Sequence, residues 1–143
     1  MKRATLLLAI AVLLAASGMS SAAPRRVYVA EDACGGHAYR PSKIVLACGD
    51  GGLFATGLSY SSYGTSTATA TGQLHAHNCV PNCAESSFHA FPGTLTLSRI
   101  VRCSDGRLYY SRARYRFTRG NPGGPASGTA DIQPFSHRTV VHN

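Results

Sequence analysis

Residues 65 to 77 alternate more cleanly than any other stretch of the chain. Thr65, Thr67, Thr69, Thr71, Gln73, His75 and His77 hold the odd positions, and Ser66, Ala68, Ala70, Gly72, Leu74 and Ala76 the even ones. Successive side chains of a strand point to opposite faces. The stretch therefore predicts a strand with one small apolar face and one polar face ending in two histidines, as in an antiparallel sheet wet on one side. A second alternation covers Thr94–Cys103 and Arg107–Arg119, interrupted by Ser-Asp-Gly. Asp105-Gly106 between two such runs is a strong hairpin signal. In the second run Tyr109, Ser111, Ala113, Tyr115 and Phe117 fall on one face by simple alternation, and Tyr110, Arg112, Arg114 and Arg116 on the other. Arg99 between the apolar Leu97 and Val101 predicts a bulge or register shift.

The remaining elements read less sharply. Residues 27–31 (VYVAE) predict a short first strand. Residues 43–48 (KIVLAC), apolar at four successive positions, predict a central strand covered on both faces. Residues 48–52 (CGDGG) predict a tight turn, and 53–64 a strand that Gly57 can break. Tyr60 and Tyr63, three apart in that strand, would fall on opposite faces. Residues 120–128 (GNPGGPASG) predict a loop and 138–143 a closing strand. No amphipathic helical period occurs beyond the first residues. About seven short strands imply an all-β domain, a small antiparallel β-sandwich, with a β-barrel as runner-up.

The first residues change the setting. Lys2 and Arg3 precede an unbroken apolar run from Ala4 to Ala16, and small residues follow to Ala22. This is the layout of a secretory signal peptide cut after Ala22. The run is shorter than the about 20 residues of a membrane span, and no later stretch reaches that length. Residues 1–22 are thus expected to be the signal peptide and 23–143 a single secreted, extracellular domain. The charge of +8 over the whole chain is concentrated in one region, with seven Arg against Asp105 alone between Arg99 and Arg119. The five cysteines, Cys34, Cys48, Cys79, Cys83 and Cys103, all lie in the exported part. Outside the cytosol they suggest disulfides with one cysteine left over. Cys34 with Cys48, closing a loop worth roughly 3 kcal/mol, and Cys79 with Cys83 across the turn VPN are the favoured pairs. Cys103 is then a free thiol or the true partner of one of the others.

Three blocks occur together: RPSKIVLACGDGG (40–52), LSYSSYG (58–64) and NCVPNCA (78–84). In this combination the chain resembles a group of small secreted bacterial β proteins. That group shares an Ala-Cys-Gly-Asp-Gly strand end, a Leu-x-aromatic-x-x-aromatic-Gly block and a Cys-x-Pro-x-Cys-Ala loop. The departures are Tyr60 and Tyr63, where the group carries Trp, and Asn78 directly before Cys79. The resemblance, spanning residues 34 to about 92, implies secretion and a β fold but no reaction.

Candidate chemistry is sparse. No Gly-x-Ser-x-Gly elbow and no dinucleotide or Walker glycine pattern is present, and six acidic residues give little material for a paired-carboxylate hydrolase. His75 and His77 would lie about 6.5 Å apart on one strand face, with Glu85 and His89 as the nearest further metal ligands. Arg112, Arg114 and Arg116, with Tyr110 beside them, could engage phosphates or carboxylates bidentately. The same charges would also suit an edge strand protected from aggregation. The sequence thus favours a non-catalytic extracellular binding or structural module without a cofactor. Its expected partner is an anionic cell-envelope polymer or an acidic protein surface. The competing class is a metal-dependent hydrolase built on His75 and His77.

Overall fold

The computed structural model describes residues 24–30, 36–47, 52–79, 82 and 85–132. Among these every regular element is a strand: β1 (Val27–Tyr28), β2 (Ile44–Val45), β3 (Leu53–Tyr63), β4 (Ala68–His77), β5 (Phe88–Arg102), β6 (Leu108–Phe117) and β7 (Ser127–Asp131). The expected signal peptide, the turn at residues 48–51 and the closing strand at 138–143 lie outside the described residues. No described helix is long and apolar enough to cross a membrane.

All seven strands belong to one sheet, in the order β1-β6-β5-β4-β3-β2, with β7 also on β6. The all-β class holds; the two-layer antiparallel sandwich does not. The sheet is mixed, because β1 runs parallel to β6, pairing Val27 with Leu108 and Tyr28 with Tyr109. The other ladders are antiparallel. A single sheet can bury one face only by curling, and this one forms a half-barrel. Three strands separate β1 from β3 in the sheet, yet the Tyr63 hydroxyl donates to the Val27 carbonyl at 2.9 Å. Val27 and Val29 from one end share a core with Ile44 and Leu46 from the other, over Leu74, Leu95, Leu97 and Tyr110.

Local sequence explains the curl. In β3 the register shifts between Thr56 and Ser59, at Gly57, and again between Tyr60 and Ser62. Each bulge bends and twists its strand. The second also turns Tyr63 to the side of Tyr60, so the two rings meet at 5.0 Å and both pack on the core, correcting the opposite-face expectation. Gly72 and Gly93 sit opposite each other in β4 and β5. A Cβ on Gly72 would lie 2.6 Å from the Thr56 carbonyl oxygen, and one on Gly93 would run into Leu74 and the Arg116 carbonyl. Only glycine allows the backbones to close up at this corner.

The alternation of β4 is as expected from Ala68 onward, with Ala68, Ala70, Leu74 and Ala76 buried. Residues 64–67 form the preceding turn, closed by the Gly64 amide on the Thr67 carbonyl at 2.9 Å. The segment expected as a central strand is instead β2, two residues long at the end of the sheet and buried at Ile44. Its apolar run reflects the core inside the curl, which Leu46 also reaches, rather than cover on two faces. The hairpin β5–β6 turns at Ser104–Gly106, with Gly106 at φ +78° and the Gly106 amide on the Cys103 carbonyl at 2.9 Å. Strand β5 starts six residues earlier than the alternation suggested, running through Pro92 and Gly93. Pro92 is tolerated because β6 has ended beside it, and Thr118 closes on its carbonyl at 2.8 Å. Strand β7 lies partly in the expected loop.

At Arg99 the pairing of β5 with β6 keeps one register on either side, so neither a bulge nor a shift occurs. The irregularity is taken up by the backbone of Arg99 itself, at φ +58°, and by Ser111 opposite, whose hydroxyl donates to the Arg99 carbonyl at 2.8 Å. The faces exchange there. Leu95, Leu97 and Ile100 all pack on the main core, while Val101, Cys103 and Tyr109 form a second cluster on the other side.

Candidate anion-binding face

Beyond Ser111, β6 alternates strictly. Ala113 and Phe117 are buried in the core, and Arg112, Arg114 and Arg116 are exposed on the outer face. These three thus share one surface, as the sequence indicated. Strand β6 is not an edge, since β5 lies along one side and β7 covers Arg112 to Arg116 on the other. The reading of these charges as an edge guard therefore fails, and the stripe stands in the interior of a paired sheet.

Cross-strand pairs share a face, which fixes the neighbours of each guanidinium. Arg112 lies between Ser98 and Asp131, Arg114 between Thr96 and Thr129, and Arg116 between Thr94 and Ser127. One row further on, Thr96 pairs with Thr69 and Thr94 with Thr71. The outer face is a rib of three cations bordered by hydroxyl rows. The carboxylate of Asp131 stands 3.8 Å from Arg112 Nε, with both side chains well exposed, so screening leaves little of that attraction. The sequence concealed this setting because the hydroxyls come from three other strands. The matching alternations of 65–71 and 94–98 were its available signal.

Tyr110 does not belong to this face. The exchange at Arg99 and Ser111 turns it inward, where it is fully buried and donates its hydroxyl to the Gly64 carbonyl. Burial and the neighbouring Tyr63 push its pKa up to about 12. It is a core residue, turned away from the outer surface.

The metal candidates are not assembled. His75 and His77 share the outer face, both partly buried. His75 stacks flat on Phe54 at 4.5 Å and has Nε2 at 2.8 Å from Thr56 Oγ1. His77 packs on Phe88 at 3.8 Å with Nδ1 at 2.9 Å from Ser86 Oγ. His89 pairs with Ala76, which puts it on the opposite face. Glu85 accepts from Asn82 Nδ2 at 2.9 Å. Among the described residues no group of three His, Cys, Asp or Glu is placed to hold an ion.

Cys103 is a free, buried thiol. Burial pushes its pKa up, and the nearby Asp105 carboxylate adds to the effect, so it is poorly suited to act as a thiolate. Cys79 is disulfide-bonded. Cys34, Cys48 and Cys83 lie outside the described residues, so neither favoured pair is complete among those described.

Comparison with known proteins adds no assignment: no family model matches the chain, and no curated protein or solved structure does.

Proposed function

We propose that this protein is a secreted, disulfide-stapled bacterial β domain that binds an anionic cell-envelope polymer through Arg112, Arg114 and Arg116. The observation that carries this reading is the placement of three exposed guanidiniums on one interior strand, with hydroxyls on both sides of Arg114 and Arg116 and Ser98 beside Arg112. A strand paired on both edges holds the cations at a repeat of about 6.8 Å, and repeating phosphates or carboxylates can engage them in series. Serine and threonine hydroxyls beside them suit a polymer that also carries hydroxyl groups. Secretion rests on the leader Lys2–Ala22, and the staples on Cys34–Cys48 and Cys79–Cys83. The resemblance to small secreted bacterial β proteins agrees with that setting. Nothing in the geometry favours the metal-dependent hydrolase, since His89 lies on the face opposite His75 and His77.

The test is binding of the purified protein to poly(glycerol phosphate) and to dextran sulfate over a series of salt concentrations. Replacing all three arginines by glutamine should weaken binding by about tenfold or more, and salt should weaken the unaltered protein steeply. Equal affinity of the triple variant, or binding indifferent to salt, overturns the reading. Arginine-dependent binding to an acidic protein but to neither polymer overturns it in favour of a protein partner.

A further inference from the structure

A second concentration of positive charge lies at the other end of β6 and is assembled by topology. Parallel pairing of Val27 with Leu108 sets the residues before β1 beside the residues before β6. Antiparallel pairing of Arg102 with Leu108 adds the end of β5. Pro24, Arg25, Arg26, Tyr28, Arg102 and Arg107 thereby line one cleft of about 500 Å³, within the usual size of a small-ligand site.

Three of the four guanidiniums are held in place. Arg26 lies over the Tyr39 ring, 5.3 Å from its centroid. Arg102 Nη1 donates to the Gly106 carbonyl at 2.7 Å. Arg107 lies 5.9 Å over Tyr28 and reaches Asp105 Oδ2 at 3.1 Å. Asp105 does not line the cleft and is already engaged. It accepts from the Arg107 amide at 2.9 Å and from the Tyr109 hydroxyl at 2.8 Å. Burial works to raise its pKa, but these two donors and the Arg107 guanidinium together hold it below the usual carboxylate range. Among the described residues, one nearby carboxylate against four cations leaves three positive charges uncompensated. Guanidiniums fixed before a ligand arrives lose little freedom on binding.

We infer that this cleft binds a compact, multiply charged oxyanion, held by Arg25, Arg26, Arg102 and Arg107. The site is separate from the Arg112 face and does not depend on the proposal made for it. A ligand of pyrophosphate size fits the cleft and can take bidentate contacts from more than one guanidinium.

Calorimetric titration of the purified protein with inorganic pyrophosphate tests this, with citrate as the carboxylate arm. Saturable one-to-one binding of pyrophosphate is expected. It should weaken about tenfold or more in Arg102→Gln and in the double variant Arg25→Gln/Arg26→Gln. The double variant lies ahead of β1 and guards against loss of fold as the cause. Citrate binding with the same arginine dependence would assign the oxyanion to the carboxylate class, and pyrophosphate binding alone to the phosphate class. The triple variant of Arg112, Arg114 and Arg116 should bind as the unaltered protein does. Absence of binding to both anions, or binding unchanged in Arg102→Gln and in the double variant, overturns the inference. Loss of binding in the triple variant alone also overturns it, by moving the anion to the other face.

Discussion

Tyr110 shows how much one residue's direction decides. Alternation counted from the hairpin turn puts it beside the arginines, yet it is wholly buried and its hydroxyl holds the Gly64 carbonyl at the β3–β4 turn. Removing that hydroxyl leaves the carbonyl without this donor, an imbalance that costs about 1–2 kcal/mol. Tyr110→Phe should therefore lower the urea midpoint without changing the slope of the transition, and leave anion binding at the outer face intact. A drop in binding to the anionic polymer with unchanged stability would return Tyr110 to the site. Arg99 teaches the complementary lesson. Its misfit among apolar neighbours was visible in the sequence. The resolution, a left-handed backbone at φ +58° with a serine opposite, was not.

At the scale of elements, Gly72 lets β4 close on the β3 backbone, and Gly93 lets β5 close on Leu74 and the Arg116 carbonyl of β6. Gly93→Ala would press a methyl group into Leu74 and the Arg116 carbonyl, in a core that cannot yield freely. Overpacking of this kind costs about 1–3 kcal/mol. The expected result is an unfolding free energy lowered by that amount in chemical denaturation; an unchanged midpoint would mean that the corner does not set the curvature. The β5–β6 hairpin, by contrast, was legible from Asp105-Gly106 alone, since turn chemistry is local. The start of β5 was hidden because Pro92 and Gly93 look like punctuation. They are accommodated only because β6 stops alongside and Thr118 takes over the Pro92 carbonyl.

Across the whole molecule the mouth of the curl is laced by tyrosines. Tyr60, Tyr63, Tyr39, Tyr28 and Tyr109 follow one another at ring separations of 5.0 to 6.3 Å, and Tyr110 joins at Tyr63 at 5.5 Å. Arg40 lies over both Tyr60 and Tyr63. Burial, foremost, raises the pKa of Tyr60 and Tyr63 and carries Tyr109 and Tyr110 to about 12. The fold thus favours the neutral phenol over the unfolded chain, where tyrosine ionises near pH 10 (about 10). That contribution is fully present below about pH 10 and is lost as pH rises through about 12. An alkaline titration should show these four of the seven tyrosines ionising late, together with loss of near-ultraviolet dichroism. Ionisation of all seven near pH 10 with the fold intact would refute the coupling.

The sequence by itself determined what depends on near neighbours. The all-β class follows from side-chain periodicity, the hairpin from a turn dipeptide, and the common face of Arg112, Arg114 and Arg116 from alternate positions on one strand. Tertiary structure decided what depends on distant pairing. Curling replaced a second layer, because paired glycines and two bulges let one sheet enclose its own core. His89 parted from His75 and His77 because strand register, invisible along the chain, sets the face. Arg25 and Arg26 met Arg102 and Arg107 because β1 lies parallel to β6. No local pattern encodes that pairing, since it is fixed only when burial of Val27 and Val29 brings the two ends of the sheet together.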